Sequence, residues 1–186
     1  MTATTIQPLA APRPLIANAA LVLALTLVLA LSARIQVPFW PVPMTLQTLA
    51  VLTIAGLFGA RLAGAAMLAY LGEGALGLPV FAGTPAHGLG LAYLAGPTGG
   101  YLAGMLVAAV LVGELVRRSG GRVVPVGAAM LLGTLVVYAL GAAWLATFLG
   151  PAKALTLGVL PFLFGDAVKA ALAATVVLAS GRLRRT

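Results

Sequence analysis

The sequence predicts an all-α membrane protein with six transmembrane helices and both termini in the cytoplasm. The first observation is composition: of 186 residues, 62% are hydrophobic and 8% are charged, and the mean hydropathy is +1.13. A soluble domain is usually about 45–50% apolar and about 25% charged. The second observation is a series of apolar segments of nearly membrane-spanning length, and the third is an unequal distribution of arginines between their ends.

Six apolar segments are each long enough, or nearly so, to cross the roughly 30 Å hydrocarbon core of a bilayer. They cover residues 15–33, 44–58, 62–78, 97–116, 123–149 and 155–180. The short second segment follows residues 37–43, in which three prolines predict an extended lead-in with Trp40 at the membrane interface. Segment 79–96 is rich in Gly and Pro and predicts a loop, and Pro97 suits the start of a helix.

The basic residues fix the orientation of these helices. With the N-terminus inside, eight of them face the cytoplasm: Arg13, Arg61, Arg117, Arg118, Arg122, Arg182, Arg184 and Arg185. Arg34 and Lys153 face outside, so the positive-inside rule places both termini in the cytoplasm. We expect one transmembrane domain over 1–186, in which 1–14 is a short cytoplasmic segment and not a cleaved signal peptide, because the apolar run after it is too long.

Several classes of function are excluded by what the chain lacks. It has no cysteine and a single histidine, His87 in a Gly-rich loop, so we expect no metal and no cofactor. The net charge of +8 comes from residues at the ends of apolar segments, which indicates membrane lipid and no nucleic acid. There is no phosphate-binding loop and no hydrolase motif, so we expect no enzyme, and any ATP-driven step requires a partner.

Asp166 and Lys169 are the most informative residues, because they lie three residues apart within the last apolar segment. Either charge at the centre of a spanning helix costs roughly 2.5–3.5 kcal/mol by insertion scales. At this spacing they share one helical face, so a simple salt bridge is one interpretation. A buried pair is weak evidence for stability, and the alternative is a site for a polar ligand or an ion.

Other polar residues lie at the same predicted level on the outer side. Thr45, Gln47 and Thr48 open the second helix, where Thr45 could also be only a helix cap. Tyr70 and Glu73 lie near the outer end of the third helix, where Glu73 could be simply solvated. Glu114 lies instead near the cytoplasmic arginines, and we interpret it as their surface partner.

The turn at 94–101, LAGPTGGY, is the second feature. A Gly-Pro turn that opens a helix leaves backbone N–H groups available for an anion, and Thr98 and Tyr101 add hydroxyl groups. The glycines could equally serve only packing. Together these groups predict a ligand pocket that opens outward beneath the 79–96 loop, with Asp166, Lys169, Thr45, Gln47, Tyr70, Thr98 and Tyr101 as its binding residues.

Small residues at a spacing of four occur in two helices. They are Ala20 and Ala24 in the first and Gly100 and Gly104 in the fourth. This spacing lets helix backbones approach closely, within the chain or against a partner.

Four separated motifs resemble the BioY family, the biotin-specific substrate-binding (S) components of energy-coupling-factor (ECF) transporters. They are MTLQTLAV at 44–51, GLPVF at 77–81, GPTGGY at 96–101 and GDAVK at 165–169. The resemblance runs from about Pro38 to the C-terminus. It implies six spans with both termini cytoplasmic, a multi-pass protein of the bacterial inner membrane, and high-affinity capture and uptake of biotin.

The resemblance also implies partners and roles. The family works with a transmembrane coupling (T) component and ABC ATPase subunits, and an Ala-x-x-x-Ala pattern like that of Ala20 and Ala24 docks the coupling component. The family's Asp and Lys of the last span, matched by Asp166 and Lys169, line the biotin site. In the family the loop that corresponds to residues 79–96 also lines the pocket, but the residues of this loop that contact the ligand are not assigned here. Whether the protein forms a homo-oligomer is also left open. The alternatives are an S component for another vitamin and a proton-coupled small-molecule carrier.

Overall fold

The computed structural model describes residues 15–37 and 40–183. The predicted N-terminal segment 1–14 with Arg13, the lead-in residues Pro38 and Phe39, and Arg184 and Arg185 lie outside the described residues. The described helices are α1 (Leu15–Arg34), α2 (Gln47–Ala75), α3 (Gly90–Leu94), α4 (Gly99–Arg118), α5 (Val123–Leu149), α6 (Pro151–Gly158) and α7 (Leu163–Leu183). Five stretches within this part of the chain are long and apolar enough to cross a membrane, so the predicted helical membrane protein is confirmed.

Two short strands at the ends of the Pro-rich lead-in pair with each other as a small hairpin. Strand β1 (Gln36–Val37) pairs antiparallel with strand β2 (Met44–Thr45), and Gln36 lies opposite Thr45. The N–H of Leu46 donates to the carbonyl of Ile35 at 3.1 Å, which fixes the start of α2 beside the end of α1. Trp40 projects from the hairpin with 75% of its surface exposed, as an interfacial tryptophan would.

Helix α2 folds back on itself at Gly59, so it contains both the second and the third predicted segment. Gly59 has φ 79° and ψ 172°, a conformation open to glycine and strained for other residues. In a straight helix Gln47 and Tyr70 would be about 35 Å apart, yet their side chains are joined by a 2.9 Å hydrogen bond. The segment is therefore a helical hairpin with two antiparallel arms and Gly59 at its tip.

The last apolar stretch, Pro151–Gly181, is interrupted where the sequence predicted a continuous helix over 155–180. Helix α6 ends at Gly158, Val159 has φ −124° and ψ −60°, and a 3-10 turn at Leu160–Phe162 leads into α7. The physical reason is Pro161, which has no N–H to donate within a helix and clashes with the preceding turn. Asp166 therefore lies in the first turn of α7, and not about 16 Å along a single helix.

Glycines let α4 pack closely against its neighbours on both sides. A Cβ on Gly104 would lie 2.8 Å from the Cα of Val137 on α5, and one on Gly113 would lie 2.7 Å from the tip carbonyl carbon of Gly59. The Gly100-x-x-x-Gly104 pattern thus serves packing within the chain. Helix α1 is packed less closely than α4, because 17% of its apolar stretch is buried, compared with 56% of that of α4.

The bundle has two distinct ends. At one end the hairpin tip of α2, followed by Arg61, meets the last turns of α4, which carry Arg117 and Arg118. At the other end Arg34 closes α1 and donates to backbone carbonyls of the 79–96 loop. We call these the arginine end and the loop end.

Candidate functional site

A cavity lies beneath the 79–96 loop at the loop end, between α2, α4, α5 and α7. Its empty volume, counted together with the space that opens to solvent, is about 530 Å³. It is lined by Val42, Pro43, Thr45, Gln47, Thr48, Ala82, Tyr93, Thr98, Tyr101, Leu102, Met105, Tyr138, Phe162, Asp166 and Lys169. Six of the seven predicted binding residues therefore line one cavity, and the seventh, Tyr70, lies behind its wall.

The charged floor of the cavity is built around Asp166, which is 4% exposed. Its Oδ1 accepts from the Lys169 ammonium at 2.7 Å and from the Thr48 hydroxyl at 2.9 Å, and its Oδ2 accepts from the Tyr138 hydroxyl at 2.7 Å. The carboxylate also lies at the N-terminus of α7, where the helix dipole favours negative charge. The break before α7 thus creates a place for an anion within an apolar stretch of the chain.

Lys169 is equally well partnered, with 8% of its surface exposed. Besides Asp166, its Nζ donates to the backbone carbonyl of Thr45 at 2.8 Å and to the hydroxyl of Thr48 at 3.3 Å. An ammonium has three N–H donors, so all three are used. The two interpretations of the pair meet here: it is a salt bridge, and it lies on the wall of a cavity.

Gln47 and Tyr70 form the second polar unit of the site. The Gln47 amide nitrogen donates to the Tyr70 hydroxyl at 2.9 Å, which in turn donates to the carbonyl of Val80 at 3.0 Å. The Thr45 hydroxyl accepts from the backbone N–H of Gln47 at 3.2 Å. The residue at the cap position of α2 is Leu46 and not Thr45, and it makes no side-chain capping hydrogen bond. Tyr70 is fully buried and positions Gln47 against the cavity.

The 79–96 loop covers the cavity through a layer of aromatic rings. Phe81 stacks on Tyr93 with ring centroids 4.9 Å apart and meets Tyr70 edge-on at 5.4 Å. The Tyr93 hydroxyl donates to the carbonyl of Ala82 at 2.8 Å. Arg34 holds the loop from outside, since its guanidinium donates to the carbonyl of Thr84 at 2.8 Å and to that of Pro79.

The start of α4 is built mainly by packing. A Cβ on Gly99 would lie 1.8 Å from the carbonyl oxygen of Leu94, and one on Gly100 would lie 2.2 Å from the Cβ of Trp144. The N–H groups of Gly99 and Tyr101 already donate to loop carbonyls. The Tyr101 hydroxyl donates at 2.8 Å to the carbonyl of Gly158, which the break after α6 leaves without a helical partner.

Some cavity residues were not among the predicted binding residues. They are chiefly Thr48, Tyr93, Met105, Tyr138 and Phe162. A tyrosine in the middle of an otherwise apolar helix, as Tyr138 is in α5, is a signal that could have been used. For Thr48 the sequence offers only its place in the first turn of α2, because its partner Asp166 is 118 residues away.

The remaining polar residues lie outside the cavity. Glu73 is half-buried and accepts from the hydroxyl of Thr26 on α1 at 2.8 Å, so it is not simply solvated. Glu114 pairs with Arg117 and with Arg118, as predicted. His87 is exposed on the loop, also as predicted.

A covered cavity with a charged floor, set in a bundle of apolar helices, defines a membrane protein with an internal site for a small polar molecule. The chain belongs to the BioY family, whose sequence model matches residues 3–186.

Named relatives are similar over most of their length. A probable biotin transporter BioY of Pyrococcus horikoshii is 42% identical over 89% of this chain and 93% of its own. The biotin transporter BioY of Thermotoga maritima is 34% identical over 82% and 89%. The crystal structure of the S-component for biotin from an ECF-type ABC transporter superposes with a TM-score of 0.78, at 27% identity over 92% of both chains.

Proposed function

We propose that this protein captures biotin at the loop end and serves in its uptake as the substrate-binding component of an ECF-type ABC transporter. The observation that carries the proposal is the buried cluster of Asp166, Lys169, Thr48 and Tyr138 on the wall of the cavity. The family and the names of its relatives supply the ligand, since they are biotin transporters.

The chemistry of the cluster suits biotin. The ureido ring offers two N–H donors and one carbonyl, and the valerate ends in a carboxylate. Asp166 supplies an acceptor, while Lys169 and Tyr138 supply donors. The aromatic and apolar wall, with Tyr93, Met105 and Phe162, suits the hydrocarbon and sulfur-containing remainder of the ligand.

A ligand must exchange with contacts that the residues of the site make with one another. Lys169 uses its three donors on Asp166, Thr45 and Thr48, so a ligand carbonyl or carboxylate must take over one of them. Such replacement avoids leaving a buried charge unpaired in either state. It also selects for ligands that carry both donors and acceptors.

The proposal includes six spans with both termini on the cytoplasmic side. Support comes from the two antiparallel arms of α2, which connect the loop end to the arginine end, and from the sorting of basic residues. Arg61, Arg117 and Arg118 lie at the arginine end, whereas Arg34 lies at the loop end. By the positive-inside rule the arginine end faces the cytoplasm, and the cavity then faces outward in a bacterial inner membrane.

The proposed partners are a transmembrane coupling component and its ATPase subunits. Ala20 and Ala24 are exposed on α1, the least buried of the five apolar stretches. A row of small exposed residues allows a partner helix to approach closely, which supports docking of the coupling component there. The bilayer lipid surrounds the rest of this apolar surface.

Equilibrium binding of biotin to the purified protein in detergent tests the proposal. Replacing Asp166 with Asn removes the charged acceptor, and loss of one hydrogen bond to a charged group should weaken binding about tenfold or more. Glu114→Gln is the matched control, because it removes an acid at the arginine end, and it should bind like the wild type. Unchanged affinity in Asp166→Asn would contradict the site assignment, and tighter binding of another vitamin would favour an S component for that vitamin.

A further inference from the structure

We propose that a groove at the arginine end, between the last turn of α4 and the first turns of α5, binds an anionic phospholipid. The groove has an empty volume of about 650 Å³ and lies apart from the biotin cavity. Its apolar wall is formed by Leu115, Pro125, Ala128, Ala129 and Leu132. Arg118 and Arg122 stand at one end of this wall.

The two arginines present unused donors to the groove. The Nε of Arg118 donates to Glu114 at 2.6 Å, and the Nε of Arg122 donates to the carbonyl of Ser119 at 3.2 Å. Within the described residues their Nη atoms make no hydrogen bond. A phosphate is an acceptor that matches the fork of a guanidinium, so these Nη groups are suited to hold one.

The turn that carries the arginines is rigidly built. The Ser119 side chain is buried, donates to the carbonyl of Val116 at 2.7 Å and accepts from the N–H of Gly121 at 3.2 Å. Gly120 and Gly121 both adopt positive φ, at 60° and 73°, which allows the chain to reverse tightly before Arg122. The backbone positions of Arg118 and Arg122 relative to each other are therefore fixed by the turn.

The local charge also favours an anion. Residues 114–122 contain three arginines and one glutamate, a net charge of +2, because Glu114 offsets only one of Arg117, Arg118 and Arg122. The N-terminus of the 27-residue helix α5 adds the positive end of its dipole at Val123. The groove thus joins a positive end to an apolar wall.

This combination separates a phospholipid from the other anions that could visit the arginines. A free phosphate would use the arginines alone, and an acidic protein segment would leave the apolar wall in contact with lipid. A phospholipid uses both, with its phosphate on Arg118 and Arg122 and an acyl chain along Leu115 and Leu132. The proposal does not depend on biotin or on the transporter partners.

The test is native mass spectrometry of the delipidated full-length protein, titrated with phosphatidylglycerol or with phosphatidylcholine of the same acyl chains. We expect phosphatidylglycerol to be retained about thirtyfold more tightly, the factor that two basic side chains together supply at an anionic surface. R118Q/R122Q should lose this preference. R61Q/K153Q, which removes the same charge elsewhere, should keep it.

A second variant tests the apolar wall without changing charge. Ala128 is exposed in the groove, so A128F should fill the groove and reduce phosphatidylglycerol retention several-fold while the protein stays folded. Equal retention of the two lipids, an equal loss in R61Q/K153Q, or displacement of lipid by excess inorganic phosphate would each overturn the proposal. So would retention by wild type of an acidic peptide in place of lipid.

Discussion

The Asp166–Lys169 pair can be divided experimentally into a structural part and a binding part. Three variants are needed: Asp166→Asn, Lys169→Gln, and the double variant that carries both changes. Asp166 Oδ1 and Lys169 Nζ lie 2.7 Å apart, and the two side chains are 5% and 10% exposed, respectively. Each single variant therefore leaves one charge at a buried position without its counter-charge. The double variant leaves two neutral amides three residues apart on one helical face.

The contacts set the size of the effect. Removing one partner of a buried ion pair costs about 3–5 kcal/mol, although Thr48 remains beside either survivor. Replacing a whole buried pair by well-packed apolar residues is often close to neutral for stability, and the two amides of the double variant can in addition hydrogen-bond to each other. Because about 1 kcal/mol shifts Tm by roughly 2–4 °C in a chain of this length, each single variant should lose roughly 6–20 °C and the double variant only a few degrees.

Two measurements on the same samples check this reasoning. Thermal unfolding in detergent without ligand should show that the double variant is more stable than either single variant. Biotin binding should be weak in all three, because the double variant restores charge balance and not the charged acceptor and charged donor that bind the ligand most strongly. Additive losses in Tm would refute the coupling of the pair, and a double variant that binds biotin normally would refute its place in the site.

Two further predictions concern the loop and the hairpin. Arg34→Gln should speed biotin release about tenfold in a stopped-flow chase, because the loop loses charged hydrogen bonds at Thr84 and Pro79. The control Lys153→Gln should release biotin at the wild-type rate. Equal release rates in Arg34→Gln and wild type would show that Arg34 does not hold the loop closed. Gly59→Ala should lower Tm by roughly 2–12 °C, since a φ of 79° and a ψ of 172° cost a residue with a side chain about 1–3 kcal/mol. The control Gly72→Ala, which lies in open space on the same helix, should leave Tm unchanged or raise it. A Gly59→Ala variant as stable as the wild type would contradict the strained backbone at the hairpin tip.

The sequence located six of the polar residues that line the cavity, because polar residues are rare in the apolar segments of this chain. Asp166 and Lys169 stood out by their cost alone, and Thr45, Gln47, Thr98 and Tyr101 by their positions at helix starts. Periodicity and charge predict that such residues lie at a similar depth along their helices, but not that their side chains line the same cavity. Tyr70 shows the difference, since it lies at the right level and yet behind Gln47.

The breaks in the helices were only partly predictable. Pro161 is a signal for a helix break, but the apolar segment that contains it is long enough to predict one continuous helix. The position of Asp166 at a helix N-terminus, and the carbonyl of Gly158 that receives Tyr101, both follow from that break. Glycine is common in this chain, so Gly59 had no local signal that distinguished a tip from a packing position.

By itself the sequence determined that the protein lies in a membrane, that it is helical, which family it resembles and which two charges are buried. Each of these follows from composition, from the distribution of arginines or from short motifs. The tertiary structure alone decided which groups meet those charges. Thr48 and Tyr138 reach Asp166 from α2 and α5, across 118 and 28 residues of chain, and no local pattern encodes such distances. The physical reason is that helix formation is local, whereas the satisfaction of a buried charge depends on how separate helices pack.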